Sequence, residues 1–181
     1  MNVDYGAWAA RWRVPLGFGF ALIFAVLSRP RMHLLVAGGT LALAGLALRA
    51  VAAGYIEKNR TVTASGPFRY TRHPLYLGSF LLGLGFMIAG GSPILGGAFV
   101  VLFAAIYAPV MRREEEFLRR TFGTEYEVYA RRVPLFFPWT RRAPANGKRF
   151  EWRHYRANRE YQAALGYAGV MAFLMIKWML R

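Results

Sequence analysis

Two polar clusters interrupt an otherwise apolar chain, and each holds groups able to grip a charged ligand. In the first, Arg72 and His73 stand directly before Pro74. Proline suits the first position of a helix, where its missing N–H costs nothing. The free N–H groups that follow make such a helix start an anion site, so a carboxylate or phosphate could dock beside Arg72 and His73. Spacing alone fits a plainer reading equally well: a positively charged helix start at headgroup level, with His73 as a simple cap.

The second cluster is Arg112-Arg113-Glu114-Glu115-Glu116-Phe117-Leu118-Arg119-Arg120. Along a helix, Glu115 meets Arg119 and Arg112, and Glu116 meets Arg120 and Arg113, so both acids can be satisfied by surface pairing. Glu114 differs, because its neighbours three and four residues on are Phe117 and Leu118. A carboxylate on that apolar side needs a cation or hydrogen-bond donors. A ligand ammonium or ribose hydroxyl would serve, and so would snorkelling toward headgroups. Arg49 is a third unusual residue, a lone charge inside an apolar segment. Such charges face a cavity or a partner, or reach the interface along their own stem.

The elements that must position these groups are membrane helices. Hydrophobic residues make up 56% of the 181-residue chain and aromatics 16%. The apolar residues cluster in runs near the roughly 20 residues that cross a bilayer. Apolar segments fall at about 14–28, 33–56, 74–90, 94–111 and 163–180. The first is read as a retained helix rather than a signal peptide, because it ends in Ser28-Arg29-Pro30-Arg31 with no small-residue cleavage site. The third and fourth, joined by Gly90-Gly91-Ser92-Pro93, form an antiparallel hairpin. Residues 112–132 are charged and aromatic, with Phe122, Tyr126, Tyr129 and Val133 on one helical face. Residues 139–160 are basic and loop-like. The expected fold is therefore all-α: a polytopic membrane protein of about five transmembrane helices with one cytoplasmic amphipathic helix. Gly78, Gly83 and Gly85 fit close helix packing better than a nucleotide loop, and the Tyr126 and Tyr129 face fits a core or interface.

The formal net charge is +15, from 24 Lys and Arg against 9 Asp and Glu. Because the cations flank hydrophobic segments, the expected partners are anionic lipid headgroups and not nucleic acid. Most of the cations lie in the N-terminus, the 57–73 loop and the 112–160 region, which places those parts in the cytoplasm by the positive-inside rule. Cysteine is absent, which excludes disulfides, thiolate catalysis and cysteine-ligated metals. No metal site is expected.

Taken in order, these motifs resemble a known family. Arg72-His73-Pro74-Leu75-Tyr76-Leu77-Gly78 is followed by Glu114-Glu115, Leu118, Phe122-Gly123, Tyr126 and Tyr129, then by Val133-Pro134 and Pro138. The pattern is similar to the isoprenylcysteine carboxyl methyltransferases, with phospholipid methyltransferases as distant relatives. The stretch from Leu48-Arg49 to Lys58 also resembles the family's preceding segment. The resemblance implies one membrane methyltransferase domain over residues 1–181. Residues 49–138 would be its cofactor-binding core, and 139–181 a basic loop with an extra C-terminal transmembrane helix. By position, Arg72, His73, Pro74, Tyr76, Glu114 and Glu115 would line a pocket for S-adenosylmethionine, and Tyr126, Tyr129 and Pro134 would complete its lid.

The chemistry of these residues is compatible with that cofactor. Helix-start N–H groups and Arg72 could take its carboxylate, and Glu114 its ammonium or ribose diol. Methyl transfer demands in-line alignment more than it demands a base. A lipophilic carboxylate acceptor needs no proton removed, and Arg49 would orient it as the catalytic residue. Two rival readings remain: an NADPH-dependent membrane reductase of steroid-reductase-like layout, and a non-catalytic lipid-binding membrane protein.

Overall fold

The structure is a computed structural model that describes residues 5–56, 61–138, 143–145 and 147–181. The elements run α1 (Tyr5–Leu27), α2 (Met32–Tyr55), a 3-10 turn (Gly66–Arg69), α3 (Pro74–Ala89), α4 (Pro93–Arg132), α5 (Trp152–Ala157) and α6 (Tyr161–Met179). No strand occurs among the described residues. The basic loop residues Lys58, Arg60, Arg141 and Arg142 lie outside them.

Local sequence explains the helix starts. Pro74 and Pro93 occupy first-turn positions of α3 and α4, and the Ser92 side chain accepts the Leu95 N–H at 3.4 Å. The charged stretch begins as a continuation of α4, up to Phe122, and a second helical segment follows to Arg132. Nothing between Met111 and Glu114 breaks a helix. The break comes later, at Gly123, whose φ of 52° and ψ of −126° bend the chain. Only a residue without a side chain adopts that conformation readily. The 139–160 region also holds more structure than a loop, since it contains α5.

Among the described residues, three helices, α2, α4 and α6, are long and apolar enough to cross a membrane. The apolar stretch Pro15–Leu27 of α1 and the 16 residues of α3 are shorter than the roughly 20 a straight span needs. Large apolar side chains on these helices point outward: Phe18, Leu22, Val26, Val36, Val101 and Leu165 are all exposed. An apolar surface of that extent fits a lipid environment.

The tightest contact is between α2 and α3, which pack antiparallel through small residues. A Cβ on Gly45 would stand 2.5 Å from the Leu82 backbone nitrogen. One on Gly38 would collide with Ala89, and one on Gly85 with Ala42. Main chain thus meets main chain, the close approach small residues allow between membrane helices. Gly83 faces the other way, against the Phe99 ring of α4.

The end of the bundle away from the polar clusters is closed by backbone bonds. The Arg29 N–H donates to Gly90 O at 2.6 Å. Lys177 donates to Ala25 O (2.5 Å), Val26 O (3.0 Å) and Ser28 Oγ (3.1 Å), which satisfies orphan carbonyls at the C-terminus of α1. The helices therefore alternate in direction. The C-terminus of α2, the N-terminus of α3, the charged part of α4 and the N-terminus of α6 gather at the opposite end.

Gly85→Ala and Gly45→Ala are expected to destabilise the protein by about 1–3 kcal/mol through overpacking. Gly97→Ala, where a Cβ would meet nothing within 4 Å, serves as control. Thermal unfolding in detergent checks this: the first two should melt earlier and the third at the wild-type temperature.

Candidate functional site

The site is built around a buried carboxylate. Glu115 is 8% exposed, on the charged part of α4 beyond the apolar stretch that ends at Met111. Its Oε2 accepts from Arg72 Nη1, and its Oε1 accepts from the Tyr126 hydroxyl. His73 Nε2 lies 3.2 Å from Oε1. Arg119 Nη2, the expected helical partner, is 3.9 Å away and largely exposed. Glu115 is therefore a buried hub and not the surface-paired acid that helix spacing predicts. Its stronger partners come from the loop before α3 and from beyond the Gly123 bend, which spacing along one helix cannot reveal.

These bonds set the protonation states. Burial alone would raise the Glu115 pKa, but hydrogen bonds from His73 and Tyr126 and the Arg72 charge outweigh it and hold the carboxyl below its usual range. Burial pushes the Tyr126 hydroxyl far up, helped by the bond to Glu115. The Tyr129 hydroxyl is also pushed up by burial. Both phenols stay protonated and act as donors.

The loop before α3 is tied to the segment after α4. Tyr129 donates to Phe68 O at 2.7 Å. The Arg72 N–H donates to Pro134 O at 3.0 Å, and Thr71 Oγ1 to Leu135 O at 3.3 Å. Arg69 and Ala143 exchange two bonds of 3.0 and 3.1 Å. Val62, Tyr126, Tyr129, Val133 and Ala143 form a small core beneath this cap.

Glu114 stands on the open side of the hub. It is about half-exposed, accepts the Tyr76 hydroxyl at 3.0 Å and lies 3.9 Å from His73 Nδ1. The two imidazole nitrogens thus look toward two different acids. A cavity of about 290 Å³ opens here, lined by Arg49, Arg72, His73, Pro74, Tyr76 and Glu114, among others. A second lobe of about 140 Å³ lies under Tyr126 and Tyr129 and shares Ile56, Phe68, Arg72 and Glu114 with the first. On the membrane side, an apolar cavity of about 260 Å³ between α1, α3 and α4 shares Ser79 and Tyr107 with the polar one.

The expected site residues are therefore brought to one place, in two layers. Arg49, Arg72, His73, Pro74, Tyr76, Glu114, Tyr126 and Tyr129 line cavity walls. Glu115 and Pro134 stand behind the wall, as the hub and as the acceptor of the Arg72 N–H. Arg49 faces the cavity but is already engaged. Its Nε and Nη2 donate to Glu160 at 3.1 and 2.7 Å. Its Nη1 donates to Leu75 O at 3.3 Å and to Ser79 Oγ. Sequence reasoning missed Glu160, Ser79, Tyr107 and Phe68. Tyr107 was within reach, because it lies seven residues before Glu114 on the same helical face. Glu160 sits among arginines and carries no such signal.

Residues 42–125 match the family model described as phospholipid methyltransferase. Over that stretch, a little under half of its length, the chain is similar to this family. The match begins inside α2, takes in the polar loop and α3, and ends just past the Gly123 bend. The matched region has curated relatives of two kinds. The cobalt-zinc-cadmium resistance protein of Cupriavidus metallidurans is 41% identical over 107 residues, 55% of this chain and 48% of that protein. The nickel-cobalt-cadmium resistance protein of Alcaligenes xylosoxydans xylosoxydans is 39% identical over 84 residues, 45% of this chain and 38% of that protein. Protein-S-isoprenylcysteine O-methyltransferase B of Arabidopsis thaliana is 31% identical over 83 residues, 46% of this chain and 42% of that protein. The aligned part spans less than half the length of each of these relatives. No solved structure matches the chain.

Glu115→Gln removes the charge that holds Arg72 and is expected to cost about 3–5 kcal/mol, the usual effect of breaking a buried pair. Because folding lowers the Glu115 pKa from 4.5, its stabilisation is complete above that value and lost as pH falls through the lower folded value. The wild type should lose melting temperature as pH drops below 4.5. The Gln variant should start lower at neutral pH and lose less over that range. Equal slopes for the two proteins would show that Glu115 is not the acid-sensitive hub.

Proposed function

We propose that this chain is an integral membrane enzyme that transfers the methyl group of S-adenosylmethionine to a lipophilic acceptor, most simply a carboxylate, in the manner of the isoprenylcysteine methyltransferases. The observation that carries the reading is the meeting of two cavities at Ser79 and Tyr107, one polar with Glu114 on its wall and one apolar and lined by Phe20, Phe24, Phe99 and Phe103. A polar cofactor and an apolar acceptor would share a boundary there.

The residues present fit the cofactor. Arg72 Nε is buried with no acceptor among the described residues, so a donor is ready for an anionic group. Helix α3 opens with Pro74, and Pro74, Leu75 and Tyr76 of its first turn line the polar cavity, which sets the positive end of the helix at the cavity wall. Glu114 offers a partly exposed carboxylate to an ammonium or a diol, and Phe68, Ile56 and Tyr107 offer apolar surface to a base. The larger polar lobe, about 290 Å³, lies at the lower edge of the size range of small-molecule sites, about 300–1,000 Å³, and the second lobe extends it. When bound, the cofactor would supply an electrophilic methyl group. The chain would supply position: alignment of reacting groups accounts for about 7–11 kcal/mol of a barrier. By donor count, Arg49 has one N–H left beyond its bonds to Glu160, Leu75 and Ser79. That N–H and the guanidinium charge would orient an acceptor carboxylate, with the acceptor's tail among Phe20, Phe24, Phe99 and Phe103.

The topology belongs to the same proposal. Helices α1 and α3 would join α2, α4 and α6 in the membrane, with the N-terminus and the 57–73 and 112–160 regions on the cytoplasmic side against anionic headgroups. With no native cysteine, single introduced cysteines can be mapped by impermeant reagents without background. Labelling at position 153 only from outside the cell would reverse this orientation.

The function is tested with the purified full chain, labelled S-adenosylmethionine and a total lipid extract. Label should enter the organic phase. Glu114→Gln should weaken S-adenosylhomocysteine binding by about tenfold or more, as expected for loss of a charge-assisted hydrogen bond. Arg49→Ala should keep that affinity and lose turnover. No label transfer by wild-type protein, together with no binding of S-adenosylhomocysteine, would overturn the assignment.

A further inference from the structure

Glu160 lies outside the family match, which ends at residue 125, and it is 6% exposed. Its carboxylate takes two donors from Arg49, which is 111 residues away in sequence. Three features deliver it there. Helix α5 is fastened to the carbonyl end of α2: Asn158 Nδ2 donates to Ala53 O at 3.1 Å, the Glu151 N–H donates to Gly54 O at 2.9 Å, and His154 Nδ1 lies 3.4 Å from Gly54 O. Phe150 fills the space over Gly54. Arg159, the residue just before Glu160, has a φ of 54°, a left-handed conformation that a side-chain-bearing residue holds only when its surroundings impose it.

Arg49 is equally constrained from its own side. Its stem crosses α3 at Gly78, where a Cβ would stand 2.6 Å from Arg49 Cγ. Its Nη1 is held by Leu75 O and Ser79 Oγ. Ser79 lines both the polar and the apolar cavity, so the guanidinium is locked where the two meet. A buried ion pair is a poor device for docking a helix, since apolar side chains of similar volume do as well or better. Holding one charged group in one orientation is what a bidentate pair does well.

We propose that Glu160 is a positioning residue for the methyl acceptor, acting through Arg49, so that the segment after the family match shapes the acceptor side of the site. The inference rests on the methyl-transfer reading above. Glu160 orients the guanidinium and offsets its charge, which leaves a single directed donor for the acceptor's polar head.

The test compares wild type, Glu160→Gln, Glu160→Asp, Arg49→Lys and the Arg49→Lys/Glu160→Gln double variant of the full chain. Label transfer into total lipid extract is measured at saturating S-adenosylmethionine, and S-adenosylhomocysteine affinity is measured in parallel. Glu160→Gln should lose about tenfold or more of its turnover and keep cofactor affinity within about twofold. Glu160→Asp should retain more activity than Gln, because it keeps the charge. The double variant should lose little beyond the worse single variant, since the two residues act as one unit. A merely structural Glu160 would lose cofactor affinity and turnover together, which overturns the proposal. Unchanged turnover in Glu160→Gln, or losses that multiply in the double variant, also overturn it. Wild-type protein that labels no lipid is a separate result: it removes the methyl-transfer reading and this inference with it.

Discussion

A carboxylate taken out of water must find donors, and most of the polar end of this protein answers that requirement at Glu115. Arg72 and His73 come to it from the loop before α3, and Tyr126 from beyond the Gly123 bend. Each partner is fixed in turn. The Arg72 backbone is tied to Pro134, the His73 backbone to Thr71, and neighbouring Tyr129 to Phe68. Groups facing the cavity, Glu114, Tyr76 and the outer edge of His73, are thereby carried on a frame whose own hydrogen bonds are nearly complete. Among the described residues of this frame the exception is the buried Arg72 Nε, on a residue that lines both polar lobes.

Much of the fold was legible because membrane helices announce themselves through length and composition. The segments at 33–56 and 163–180 correspond to α2 and α6 within a few residues. The glycine-rich stretch of α3 reads as a packing surface, and Gly78 and Gly85 do lie against α2. What periodicity could not show was that α4 continues into its charged stretch. Apolar and charged halves differ in what surrounds them, not in backbone preference, and only Gly123 interrupts the helical geometry.

The site was legible in its residue types and less so in its pairings. Helix arithmetic left Glu114 without a partner on its own helix and on its apolar side; the structure leaves it about half-exposed and gives it Tyr76 from α3. The same arithmetic assigned Glu115 to Arg112 and Arg119, whereas its closest partners are Arg72, 43 residues upstream, and Tyr126, beyond the Gly123 bend. Arg49 could be read as facing a cavity or a partner or as reaching the interface; it lines a cavity and pairs with Glu160, which could not be identified because the pairing depends on the left-handed turn at Arg159. Long-range polar contacts leave no period in a sequence. Only the fold brings their two ends together.

The glycine contact between α2 and α3 has a further consequence. Arg49 and Pro74 belong to helices whose separation is set by main-chain atoms, with no side chain between them at Gly38, Gly45 or Gly85. Side chains on the lipid-facing surfaces of those helices, such as Val36 and Leu43, contribute nothing to that spacing. Those outer faces are free to adapt to bilayers of different thickness or fluidity, while the spacing between Arg49 and the start of α3 stays insulated from the membrane around it.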